Sequence, residues 1–191
     1  MKLPQQKIYL IRHGETEWTL SGRHTGTTDI PLTKNGEAQA EQLKKCLSGH
    51  AFEAVFTSPL QRAARTCDIS GLSKNAQLDP DLVEWNYGDF EGLTTEQIWK
   101  KHPHWNIFSN GAPNGESVAD IGARATRMLA KIRSLHADVA LFSHGHFLRA
   151  LAACWLQLPT HDGKRLALFP SSISILGYER STPVLILWNK V

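Results

Sequence analysis

Apolar positions along this chain recur with two periods that take turns. Lys7 to Ile11 is a short run of strand-forming residues that stops at Arg12-His13-Gly14, which predicts a buried strand. A helical period then opens at Leu32-Thr33, with Thr33 as N-cap, Ala40, Leu43 and Leu47 on one face, and Gly49 placed to end it. The alternation repeats at Ala54 to Thr57, a strand-like run. Ser58-Pro59 follows as a capping residue and a proline at the first helical position, where a missing N–H costs nothing. The helix so opened carries Arg62 and Arg65.

The longest helical signal starts at Ser117, which pairs with Asp120 as a capping box. Val118, Ile121, Ala125, Met128, Ile132 and Leu135 share its apolar face, while Arg124, Arg127 and Lys131 are predicted to face elsewhere. Val139 to Phe142 is another strand, cut off by Ser143-His144-Gly145, and His146 to Leu156 is apolar on most sides, as a buried helix would be. Ile173 to Tyr178 and Val184 to Trp188 predict a closing antiparallel pair around a turn at Glu179 to Pro183. Strands alternating with helices imply an α/β fold whose mainly parallel sheet is covered on both faces. Between Tyr87 and Glu116 the regular signals weaken. Trp99, Trp105, Phe108, Gly111 and Pro113 there suggest an excursion over the site, its aromatics serving either as core staples or as walls of a substrate pocket.

Composition narrows the class. A chain of 191 residues, 41% apolar and 20% charged, suits one globular domain spanning residues 1–191. No apolar run approaches the roughly 18 residues that would cross a bilayer, and Met1 to Gln6 is too polar for a leader, so no membrane partner and a cytoplasmic location are expected. Cys46, Cys67 and Cys154 show no C-x-x-C spacing and are expected as buried free thiols. The net charge of +3, without a basic run of five or more, argues against nucleic acid as a partner while suiting a site that attracts small anions.

Two strands end alike, in Arg-His-Gly at 12–14 and Ser-His-Gly at 143–145. Ligands of open α/β sheets bind beyond the carboxyl ends of the strands, so His13 and His144 are expected to share a site. Gly14 and Gly145 are expected to let backbone and ligand approach closely. Arg12 and Arg62 add guanidinium groups that match phosphate oxygens bidentately, and the four side chains together suggest a phosphate pocket. Glu84, beyond an alternating run at Leu78 to Val83 and before Trp85 and Tyr87, is the candidate acid: screening by aromatics would favour its protonated form. The pair His144 and His146 lacks the carboxylate companions of a zinc site, and no metal or cofactor is expected.

These residues fall within an ordered series: L-I-R-H-G-E-T-E-W at 10–18, R-H-T-G-T-T-D-I-P-L-T at 23–33, S-P-L-Q-R-A at 58–63, E-W-N-Y-G-D-F-E-G at 84–92, P-N-G-E-S at 113–117 and S-H-G-H-F-L-R at 143–149. The series resembles the histidine phosphatase superfamily, in the branch that includes cofactor-dependent phosphoglycerate mutases and fructose-2,6-bisphosphatases. The resemblance implies a three-layer sandwich with a mixed, mainly parallel sheet and helices on both faces. It implies His13 as nucleophile, Arg12, Arg62 and His144 as the groups that grip the phosphoryl, and Glu84 as the acid that protonates the leaving oxygen. It implies substrate contacts at Thr25 and Gly26. Thr19 and His146 stand near the phosphate where the mutases usually have asparagines, and the chain is much shorter than those mutases. A phosphatase acting on a small phosphorylated metabolite is therefore expected, with the cofactor-dependent mutase as the alternative. Tryptophans exposed in the excursion would serve a homodimer.

Overall fold

The computed structural model describes residues 6–191, so the polar opening at Met1 to Gln6 lies outside it apart from Gln6. Its strands are β1 (Ile8–Arg12), β2 (Ala54–Thr57), β3 (Ala76–Leu78), β4 (Val139–Ser143), β5 (Ile173–Glu179) and β6 (Thr182–Lys190), hydrogen-bonded in the order β3-β2-β4-β1-β5-β6. The first four run parallel, and β5 and β6 close the sheet antiparallel. Successive strand residues point to opposite faces, and both faces are apolar here. Ile8, Leu10, Phe56 and Leu141 pack with the helices α6 (Val118–Arg133) and α7 (Gly145–Trp155). Tyr9, Ile11, Val55, Ala140 and Phe142 pack on the other side with α2 (Lys34–Leu47) and α3 (Gln61–Ile69). This is the three-layer α/β sandwich that the alternating periods imply.

The capping chemistry was legible in two helices of three. Thr33 Oγ1 accepts the Gly36 N–H at 2.9 Å, and Ser117 and Asp120 complete their reciprocal box. Helix α3 departs from expectation: it starts at Gln61, with Leu60 as N-cap, so Pro59 lies before the helix and Ser58 does not cap it. Asp29 supplies the cap instead, accepting the Gln61 N–H at 2.8 Å. Arg124 also departs, since it is 8% exposed rather than outward-facing. It forms a 2.7 Å ion pair with Glu116 and donates to the carbonyls of Asp81, Val83 and Glu84, which satisfies the buried charge. Of the cysteines, only Cys67 is buried, whereas Cys46 is exposed. The run before Glu84 is the end of edge strand β3 followed by a 3-10 turn at Pro80–Leu82.

The excursion contains two short helices, α4 (Thr95–Trp99) and α5 (Ile107–Asn110), with a third short helix, α1 (Glu17–Leu20), earlier in the chain. Its Trp105 and Phe108 belong to the core, while Trp99 is 48% exposed. No helix among the described residues is long and apolar enough to cross a membrane.

Phe142 is fully buried between the sheet and the α2/α3 layer. Phe142→Ala should lower unfolding free energy by about 3 to 5 kcal/mol through lost burial plus the cavity left behind. Urea denaturation checks this, and a loss under about 1 kcal/mol would contradict the packing described.

Candidate active site

The site grows from two neighbouring strand ends. Parallel pairing sets Arg12 beside Ser143 in register, so the residues that follow, His13 and His144, emerge together at the carboxyl edge with ring centroids 5.1 Å apart. Their glycines let protein approach closely: a Cβ on Gly14 would come within 2.5 Å of the Gly36 carbonyl oxygen, and one on Gly145 within 3.2 Å of the Arg12 guanidinium.

His13 Nδ1 lies 2.7 Å from the carbonyl oxygen of Gly14. A carbonyl only accepts, so Nδ1 carries the proton and Nε2 keeps its lone pair. Burial, then Arg62 and Arg12, hold the ring well below its ordinary pKa, which keeps it neutral. Gly14 N–H donates to Thr66 Oγ1, and that hydroxyl donates to the Arg62 carbonyl, tying the histidine loop to α3.

Arg62 is fully buried. Its Nε donates to His144 Nδ1 at 3.2 Å, Nη1 to Thr28 O at 2.9 Å, and Nη2 to Gly26 O at 2.8 Å and Thr25 O at 3.3 Å. One Nη1 hydrogen is left over. Since His144 Nδ1 accepts, its Nε2 donates to Ser58 Oγ at 2.8 Å. Burial, then Arg62, pushes His144 too well below the ordinary histidine range. Both residues therefore stand a layer behind the cavity wall.

That cavity, of about 320 Å³, is lined by Arg12, His13, Thr19, Thr25, Glu84 and Gly145 among the expected residues. Arg12 donates through Nη1 to the Leu168 carbonyl, and its buried Nε has no partner among the described residues. Glu84 is buried and held at the start of α7: Oε1 accepts the N–H groups of Trp85 and Phe147, Oε2 that of His146. Thr19 spends its hydroxyl in a reciprocal box with Thr16. Gly26 sits behind the wall, its N–H donated to Glu91 Oε1 at 2.8 Å.

The profile of the histidine phosphatase superfamily (branch 1) matches residues 8–191. This chain belongs to that superfamily. It is 41% identical to an acid phosphatase of Mycobacterium tuberculosis over 183 residues, 94% of this chain and 90% of the relative. A sedoheptulose 1,7-bisphosphatase of Saccharomyces cerevisiae is 38% identical over 80% of this chain and 68% of its own length. The solved structure of a Mycobacterium tuberculosis open reading frame product superposes with a TM-score of 0.93 at 39% identity, covering 97% of this chain and 98% of that one. With this membership goes a phosphatase hydrolase role.

Several residues of this histidine phosphatase site escaped sequence reasoning. Ser58 looked like a helix cap because serine before proline usually is one, yet it serves His144. Thr66 carried no signal of its own, one helical turn beyond Arg62. Glu91, within the Phe-Glu-Gly of 90–92, accepts from both Gly26 and Thr28 and so holds the loop whose carbonyls hold Arg62. Tyr87 pairs its hydroxyl with His146 Nδ1, and Leu168 to Pro170 close the far wall.

Four histidines, His13, His24, His144 and His146, are held below the ordinary 6.5, chiefly by burial, His24 to about 4. Below pH 6.5 the unfolded chain binds protons on these rings and the folded chain does not, so stability falls as pH drops from 6.5 toward 4. Each ring contributes up to about 1.4 kcal/mol per pH unit. A urea midpoint that stays constant over that range would contradict the four neutral rings.

Proposed function

We propose that this chain is a metal-independent phosphatase that hydrolyses phosphate monoesters of small metabolites through a phosphohistidine on His13. The observation that carries this reading is the His13 ring, neutral, with Nδ1 fixed on the Gly14 carbonyl and the Nε2 lone pair left for the cavity. Nε2 attacks phosphorus in line and the phosphorus–oxygen ester bond breaks, splitting one hard displacement into two easier ones. Arg12 and the charge of Arg62 oppose the negative charge spread over the equatorial oxygens, the work a metal ion does in other phosphoryl-transfer sites. Glu84 gives the departing alkoxide its proton. It then takes a proton from the water that attacks phosphorus, releasing phosphate and His13. His144, fixed between Arg62 and Ser58, and Thr25, whose carbonyl meets Arg62, keep that arginine in place. We also place the enzyme in the cytoplasm, a reading its three free cysteines support.

Brief incubation with phosphorus-labelled substrate and an alkaline quench should leave a base-stable, acid-labile label on the protein, undiminished by a strong chelator. His13→Ala should take up none; label on that variant would sink the assignment.

Glu84→Gln should slow the burst with an alkyl phosphate by about 10² to 10⁴, because an alkoxide needs its proton in the transition state. The loss with p-nitrophenyl phosphate should be much smaller, since nitrophenolate leaves without help. Equal losses in rapid-quench measurements would assign Glu84 to holding α7 alone.

A further inference from the structure

Leu168 to Pro170, the far wall of the cavity, lead into β5 through a strained turn. Ser172 N–H donates to the Phe169 carbonyl at 3.3 Å, which closes a four-residue turn on Pro170 and Ser171. Proline fixes φ at about −65° in the second position. Ser171, in the third, has a φ of 54°. This is the type II pattern, whose third position suits glycine or asparagine. Among the described residues Ser171 is the only buried non-glycine at positive φ. A side chain held in this region persists where its surroundings over-determine it.

Those surroundings are the backbone of the histidine loop. Ser171 N–H donates to the His13 carbonyl at 3.1 Å, and Arg12 N–H donates to the Ser172 carbonyl at 3.2 Å. The Ser171 hydroxyl donates to Gln39 Oε1 at 3.3 Å, and the same oxygen accepts the Glu15 N–H at 3.0 Å. Gln39 lies three residues beyond Gly36 on α2, so both share the face that meets this loop. A Cβ on Gly36 would come within 2.2 Å of the Glu15 carbonyl oxygen. Glycine at 171 would relax the turn and offer the same N–H. Only a hydroxyl reaches Gln39, and that bond closes a ring from His13 through Glu15, Gln39 and Ser171 back to His13.

We propose that Ser171 and Gln39 are positioning residues for the nucleophile: they fix the His13 backbone, and with it the line along which Nε2 approaches phosphorus. Neither lines the cavity, so they act through the loop and not on the substrate. This rests on the reading of His13 as the nucleophile.

Three substitutions test it by rapid-quench labelling, with urea denaturation of each variant. Ser171→Gly should slow the labelling burst by about three- to tenfold, a fraction of the roughly 10² that a misplacement of about 1 Å costs. Its KM should change little, and its urea midpoint should hold or rise because glycine is relaxed at positive φ. Ser171→Thr keeps the hydroxyl but is β-branched in a left-handed position, so its midpoint should fall while its burst stays closer to that of the unmodified enzyme. Gln39→Leu should slow the burst at least as much as Ser171→Gly does, and adding Ser171→Gly to it should cost little more, since the shared bond is already gone. Burst rates that simply follow the urea midpoints would overturn the proposal, as would an undiminished burst in Ser171→Gly. Losses that multiply in the double variant would overturn it too, whether or not Ser171→Thr folds. If no label forms on His13 while turnover of p-nitrophenyl phosphate shows the same crossed pattern, the phosphohistidine reading falls and the clamp on the loop stands.

Discussion

Arg62 is a guanidinium buried without a carboxylate partner among the described residues, and the rest of the site is arranged around that charge. Taking an ion out of water costs several kcal/mol unless its donors are satisfied. Three carbonyls from Thr25, Gly26 and Thr28 and one imidazole nitrogen take four of its five N–H groups. Satisfying Arg62 therefore dictates where the 25–28 loop runs. Glu91 holds that loop from behind, and the loop packs so closely that a Cβ on Gly26 would sit 2.6 Å from both Glu91 Oε2 and the Trp85 carbonyl.

The same charge governs the chemistry in front of it. Burial together with Arg62 keeps His13 and His144 neutral, and a neutral imidazole is the only form with a lone pair to offer. Neither ring is free to turn. The Gly14 carbonyl orients one, and Arg62 and Ser58 orient the other from opposite ends. Preorganisation of this kind means that little rearrangement accompanies charge development during phosphoryl transfer.

A second buried arginine plays a comparable part on the opposite wall. Arg124 binds the carbonyls of Asp81, Val83 and Glu84, while its partner Glu116 accepts the Asn86 N–H. The segment carrying Glu84 is pinned on both sides, and the carboxylate meets the start of α7 where N–H groups lack partners. The aromatic residues of the excursion supply backing: Phe108 lies behind His146 and Arg149, and Trp105 behind His24. They are core staples that shape the cavity without lining it.

The strands that end at Arg12 and Ser143, the caps at Thr33 and Ser117, and the sharing of one edge by His13 and His144 were all legible in the sequence. Each is written in local periodicity or in a side chain's bond to its own turn. Long-range demands decided the rest. Ser58 became a partner of His144 because the end of β2 lies beside that of β4. Arg124 turned inward because three carbonyls and Glu116 converge on it, and Gly14 and Gly145 make room for Gly36 and Arg12, which are distant or buried neighbours. Sequence alone determined which groups reach the edge of the sheet; only the tertiary structure decided which of them face the cavity and which stand behind it. A buried polar atom's partner is set by proximity in space, and no local period records that.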